Sequence, residues 1–152
     1  MAVQEHQDYV FAPSVDVNEG ISTGAITKAA LLGTRRHIFV IPFNSVAVLG
    51  LTTTTTDYGQ GHQELAKTVA AMLADPAMSI DQVEQVLRAS LDDKPHQRVF
   101  PIEVLDVLRV QVGWWVFGGM RMRSQGEGLK VINLQPRAAR EAWARFYQSA
   151  RR

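Results

Sequence analysis

Apolar positions fall into three kinds of run along this chain, and each kind predicts a different element. Ala29-Ala30-Leu31-Leu32 and Ile38-Phe39-Val40-Ile41 are unbroken apolar stretches, the pattern of strands buried on both faces. Gly33 reads as the turn between them, and Pro42 as the end of the second, since proline offers no N–H to a sheet ladder. Asn44-Ser45 then reads as a turn and residues 46–51 as a third strand. The five threonines 52–56 read as a β-branched continuation that runs into a loop. Met120 and Met122 alternate with Arg121 and Arg123, the two-residue period of a half-exposed strand. Gly126-Glu127-Gly128 is a hairpin signal, and residues 129–134 form the return strand.

The remaining runs have helical spacing. Leu65, Val69, Met72 and Leu73 share one helix face, and Asp75-Pro76 ends that helix. Ser79 with Gln82 three residues on is a capping box, followed by an apolar face of Ile80, Val83, Val86, Leu87 and Leu91. Residues 62–91 therefore predict a helical hairpin. Pro136 suits a first helical turn, and Ala138, Ala139, Ala142, Trp143, Phe146 and Ala150 follow as the apolar face of a closing helix. Arg137, Arg140, Arg145 and Arg151 lie mostly off that face, and Trp143 and Phe146 are its expected anchors. Residues 104–112 fit a strand or a helix. Residues 114–117 are aromatic and strand-like, and Gly118-Gly119 suggests a bulge or bend. Residues 1–23 read as an N-terminal arm with one edge strand, interrupted at Pro13 and Gly20. The remainder, 24–152, reads as one α+β domain.

Composition narrows the possibilities. With 152 residues, 46% hydrophobic and 20% charged, the chain is long enough for a substantial core and is not of disordered type. The absence of cysteine excludes disulfides and thiolate chemistry. Residues 1–20 carry four acids, no Lys or Arg and no apolar core, which argues against a targeting signal. The longest apolar run, 112–120, is too short to span a bilayer as a helix, which takes about 20 residues. A cytoplasmic location is the expectation.

The net charge of +1 hides an asymmetry. Residues 109–152 hold nine Lys and Arg against two acids, net +7, whereas residues 1–20 and 62–108 each sum to −4. Such an imbalance fits an anionic partner, and equally fits two ends that face each other in the fold.

Signatures of catalysis and of cofactor binding are missing. The histidines 6, 37, 62 and 96 lack metal-ligand spacing, and no nucleophile elbow, dinucleotide glycine pattern or phosphate loop occurs. Gly59-Gln60-Gly61 precedes a helix without the lysine a phosphate loop needs. Asp92-Asp93 beside Lys94-Pro95 reads as a solvated turn. The best lead is basic and aromatic. Arg121, Arg123 and Lys130, with Arg35 and Arg36, compose a candidate anion- or partner-binding surface. Of Trp114 and Trp115, on opposite faces of one strand, Trp115 is assigned to that surface. A solvated arginine face over a core tryptophan would give the same pattern.

Residues 31–42, Leu-Leu-Gly-Thr-Arg-Arg-His-Ile-Phe-Val-Ile-Pro, resemble the early hairpin of bacterial pleckstrin-homology-like and GRAM-like domains: an apolar strand ending at Thr, a basic turn, then a strongly apolar strand. The end of the chain, residues 131–134 and then 138–148 with a central Trp, resembles the closing helix of such domains. The resemblance covers residues 25–51 and 99–148. It implies an antiparallel, strongly bent β-sandwich or barrel plugged by a C-terminal helix. Two features depart from it: Arg35 stands where Asp or Asn is common, and the helical hairpin is an insertion.

Three functions follow in order. The first is a non-enzymatic binding or scaffold module that acts through protein contacts, including as a homo-oligomer. The second is a binder of anionic membrane or nucleic acid through the basic C-terminal third. The third is a small enzyme whose site assembles only in the fold. No cofactor is expected.

Overall fold

A computed structural model describes residues 3–18, 26–49, 52–57, 59–91, 97–114, 118–124 and 127–148. The chain begins with four antiparallel strands: β1 (Tyr9–Asn18), β2 (Ile26–Thr34), β3 (His37–Leu49) and β4 (Thr52–Asp57). A helical hairpin follows, α1 (Gly59–Ala74) and α2 (Ile80–Ser90). The short β5 (Val99–Pro101), then β6 (Val107–Gln111), β7 (Gly119–Ser124) and β8 (Glu127–Val131), lead to the closing helix α3 (Arg137–Gln148). All strands join one antiparallel sheet in the order β4-β3-β2-β1-β8-β7-β6, with β5 paired to the first half of β3. The fold is α+β, a bent antiparallel sheet with an inserted helical hairpin and a capping helix. The sheet does not close, so the architecture is a bent sandwich and not a barrel.

Two cores explain the two kinds of apolar strand. Ala29, Leu31, Ile38 and Val40 face a core shared with β1, β6–β8 and α3. Their sequence neighbours Ala30, Leu32, Phe39 and Ile41 face a second core, built with Val69 and Leu73 of α1 and Val83 and Leu87 of α2. Strands covered on both faces need no polar side, which is why these runs are unbroken. In β7, Met120 and Met122 are buried while Arg121 and Arg123 are exposed, as expected for a strand covered on one face. The hairpin's apolar stripe is spent on the sheet, and the Ser79–Gln82 capping box forms as its spacing predicts.

Several local expectations are corrected. The N-terminal segment does not supply an edge strand. Its β1 lies between β2 and β8, with a register shift between Ala12 and Val15 that takes up Pro13. Pro42 does not end β3, because a shift between Lys28 and Ala29 of the partner strand relieves the ladder there. Asn44 and Ser45 are strand residues, paired on both sides. Helix α1 starts at Gly59, three residues before the expected start of the hairpin at residue 62. Residues 107–111 are strand, and the 3-10 turn Ile102–Val104 precedes them.

Gly33 is not a turn residue. It lies in β2, where an added Cβ would fall on the Tyr147 hydroxyl and lie 2.9 Å from Trp143 Cζ3. The turn is Arg35-Arg36, organised by the Thr34 hydroxyl, which accepts from the N–H of Arg36 (3.2 Å) and of His37 (3.0 Å).

Arg140, expected off the apolar face of α3, is fully buried. Its guanidinium donates to the carbonyls of Val112 (2.5 Å) and Leu134 (3.0 Å) and to Gln135 Oε1 (2.9 Å). Burial is tolerable because the guanidinium donates to three acceptors, one of them the buried Leu134 contact.

Candidate functional site: a basic face on the second half of the sheet

The five residues drawn from basic positions divide into two groups. Arg35 and Arg36, at the β2–β3 turn, are engaged by other parts of the chain. The Arg35 guanidinium donates to the carbonyls of Phe146 (2.6 Å) and Gln7 (3.0 Å) and lies 3.7 Å from the centre of the Phe146 ring. It ties the N-terminal segment and the end of α3 to the turn, a charge-assisted clasp with a cation–π component. Arg36 pairs with Asp81 and with Glu84 (2.9 Å) on α2, and Glu84 also meets His37 Nδ1 at 2.5 Å. The Glu84 side chain is 4% exposed. Hydrogen bonding to Glu84 is the main cause that holds Arg36 above its ordinary pKa, with Asp81 adding to it. This cluster is a latch between the inserted hairpin and the sheet. Arg36 still keeps more than half of its side chain in solvent.

Glu84 was not anticipated, although its spacing carried a signal. It lies four residues after Ile80 and three before Leu87, on the apolar stripe of α2, and a charge there needs a buried partner.

The second group lies together on the outer face of β6–β8. The pleat turns Leu108, Met120, Met122, Leu129 and Val131 into the core and leaves Arg109, Arg121, Arg123 and Lys130 exposed. Register then decides which cations are neighbours. Arg109 is directly opposite Arg121 on β7, and Arg121 is directly opposite Lys130 on β8. Lys130 is in turn opposite Asn18 of β1. Three cations therefore form one row across three adjacent strands, with Arg123 two residues along β7.

Facing side chains on adjacent strands have Cβ atoms about 5 Å apart, and like charges there destabilise the sheet. Opposite charge nearby would offset this. The ion pairs of the described residues lie elsewhere: Glu5–His6, Arg36–Asp81, Arg36–Glu84, His37–Glu84, Glu64–Lys67 and Arg137–Glu141. Among the described residues, none pairs with Arg109, Arg121, Arg123 or Lys130. Among the described residues, then, no internal ion pair neutralises the charge on this face.

Two open grooves flank the Arg121–Lys130 pair. One, of about 410 Å³, runs past Arg123, Gly128 and Asn18; the other, of about 210 Å³, runs past Gln111, Gly119 and Ile132. Gly128 helps to form the first because it presents no side chain there. A Cβ on it would meet only the Met122 carbonyl, at 3.8 Å. Asn18 Oδ1, at the border of the same groove, is buried and accepts no hydrogen bond from the described residues. Trp114 stands 68% exposed in the segment that leaves β6. Trp115, assigned to this surface from sequence, lies outside the described residues.

Chemically, the face offers three guanidinium groups and one ammonium to oxyanions, with room on either side of the central pair. Among the described residues, no group of three His, Asp or Glu side chains could hold a metal ion. No described helix is long and apolar enough to cross a membrane. No family model matches the chain, and neither does any curated protein or solved structure.

Proposed function

We propose that this chain is a non-enzymatic binding module of the pleckstrin-homology-like kind whose working surface is the outer face of β6–β8 and whose partner is anionic. The observation that carries the reading is the in-register row Arg109–Arg121–Lys130. Three like charges side by side on a sheet are unfavourable in the free protein, and a bound polyanion would turn that repulsion into attraction. A protein partner for this face would have to be acidic. The architectural part of the reading is supported by the helix that plugs a bent antiparallel sheet after a three-stranded meander. The helical hairpin serves it as a cover for the back of the sheet, since the hairpin's apolar stripe is buried there.

The test is retention on immobilised heparin, a generic polyanion. The wild-type chain should be retained at low salt, and Arg121→Glu/Lys130→Glu should elute at distinctly lower salt. Lys67→Glu/Arg88→Glu, an equal change of charge on the hairpin, should shift elution far less. No retention of the wild type, or the same shift for both pairs, would reject the reading.

A further inference from the structure

Resting on that reading, we infer that the anionic partner is a single-stranded nucleic acid, whose backbone runs along β7 across the Arg121–Lys130 pair. The shape of the face selects this occupant among polyanions. Its cations occupy three strands spaced about 4.8 Å apart, a band only about 10 Å wide. That width suits one phosphodiester thread and not the two phosphate ridges of a duplex. Arg123 and Arg121 lie in line along β7, and a groove opens on each side of the Arg121–Lys130 pair. A flexible strand can enter such grooves, whereas the plane of a bilayer surface would touch only the projecting side chains. Single-strand binders combine a basic, backbone-tracking groove with aromatic rings on which bases stack. Trp114 stands largely exposed three residues beyond Gln111, where β6 ends, and Gln111 faces Gly119 at the start of β7. Arginine provides three of the four cations, and its planar fork fits phosphate oxygens and can stack on bases.

Gly128 separates this proposal from simple charge attraction. It lies on the groove floor opposite Arg123, and a side chain there has space without a clash in the fold. A β-branched residue at this position would narrow the groove while leaving every charge in place.

The experiment is fluorescence anisotropy of the full chain with a labelled oligothymidylate at 50 and 200 mM salt, alongside flotation with phosphatidylserine-containing vesicles. With three or four phosphate contacts on a single strand, affinity should fall about 20- to 50-fold between those salts. Trp114→Ala should weaken binding about tenfold, through the loss of one stacked base. Gly128→Val should weaken it severalfold, with thermal unfolding confirming that the variant is folded. Oligonucleotide binding with both losses supports the proposal. Vesicle or heparin binding without oligonucleotide binding overturns it and leaves the basic-face reading standing. Oligonucleotide binding unaffected by Gly128→Val and Trp114→Ala also overturns it, because the grooves and the ring would then have no part in recognition. If no polyanion binds at either salt, this proposal and the basic-face reading both fall.

Discussion

Substituting Gly33→Ala tests the way α3 seats on the sheet. Three terms set its size. In a strand interior, replacing glycine by alanine favours folding by about 0.5–1 kcal/mol, because the unfolded chain loses freedom. Against that, the new methyl would occupy the place of the Tyr147 hydroxyl and press on Trp143 Cζ3 at 2.9 Å. Overpacking of this kind costs about 1–3 kcal/mol. Tyr147 also donates to the Thr34 carbonyl at 3.1 Å in a buried setting, and displacing it forfeits a further 1–1.5 kcal/mol or about that. The net expectation is a loss of about 2–3 kcal/mol. Tyr147→Phe alone should cost about 1 kcal/mol, since only the hydrogen bond goes. In the Tyr147→Phe background the methyl no longer meets an oxygen, so Gly33→Ala should cost about 1 kcal/mol less than in the wild type. Urea unfolding of the four proteins, followed by tryptophan fluorescence and far-UV circular dichroism, measures this coupling. Additivity within about 0.5 kcal/mol would refute the reasoning, because residues that share one space cannot act independently.

Burial raises the Tyr147 hydroxyl well above its ordinary value of 10.0, with Arg35 partly opposing and Glu84 reinforcing the shift. The unfolded chain ionises at the lower value, so the contribution to stability is complete below about pH 10 and is lost as pH rises toward the folded value; thermal unfolding between pH 9 and pH 11 should show a steep loss that Tyr147→Phe makes shallower, and parallel curves would contradict it. Arg140→Met should cost about 3 kcal/mol in denaturant unfolding, since the carbonyls of Val112 and Leu134 lose their buried donor. A loss under about 1 kcal/mol would mean that water or a neighbour replaces the guanidinium.

Much of the fold was legible because it rests on local patterns. The capping box at Ser79–Gln82 follows from two residues three apart, and the hairpin stripe from helical spacing. The alternation of Met120 and Met122 with Arg121 and Arg123 assigned their faces correctly before any partner strand was known. Where a local rule failed, a distant segment had changed its premise. Gly33 signals a turn in sequence, yet its missing side chain serves Tyr147 and Trp143, more than a hundred residues away. Pro13 and Pro42 signal breaks, yet a register shift accommodates each within a strand pair. Arg140 reads as a surface cation, although it shares a stripe with Trp143 and Tyr147 three and seven residues on.

The candidate site divides in the same way. From the sequence, Arg121, Arg123 and Lys130 on strands and Arg35 and Arg36 at a basic turn emerge together as one candidate surface. The folded chain commits Arg35 to α3 and the N-terminal segment, and Arg36 to Glu84 and Asp81. It leaves the other three on a common face and adds Arg109, which an ambiguous segment had hidden.

The sequence by itself determined the period of each element, its caps and the side of the strand on which each residue falls, since these depend on neighbours within a few positions. Tertiary structure alone decided the register that sets Arg109, Arg121 and Lys130 side by side, and the pairing of β1 with β8 that joins the two halves of the sheet. Those outcomes depend on contacts between segments distant along the chain, whose balance of burial, hydrogen bonding and repulsion no short window of sequence contains.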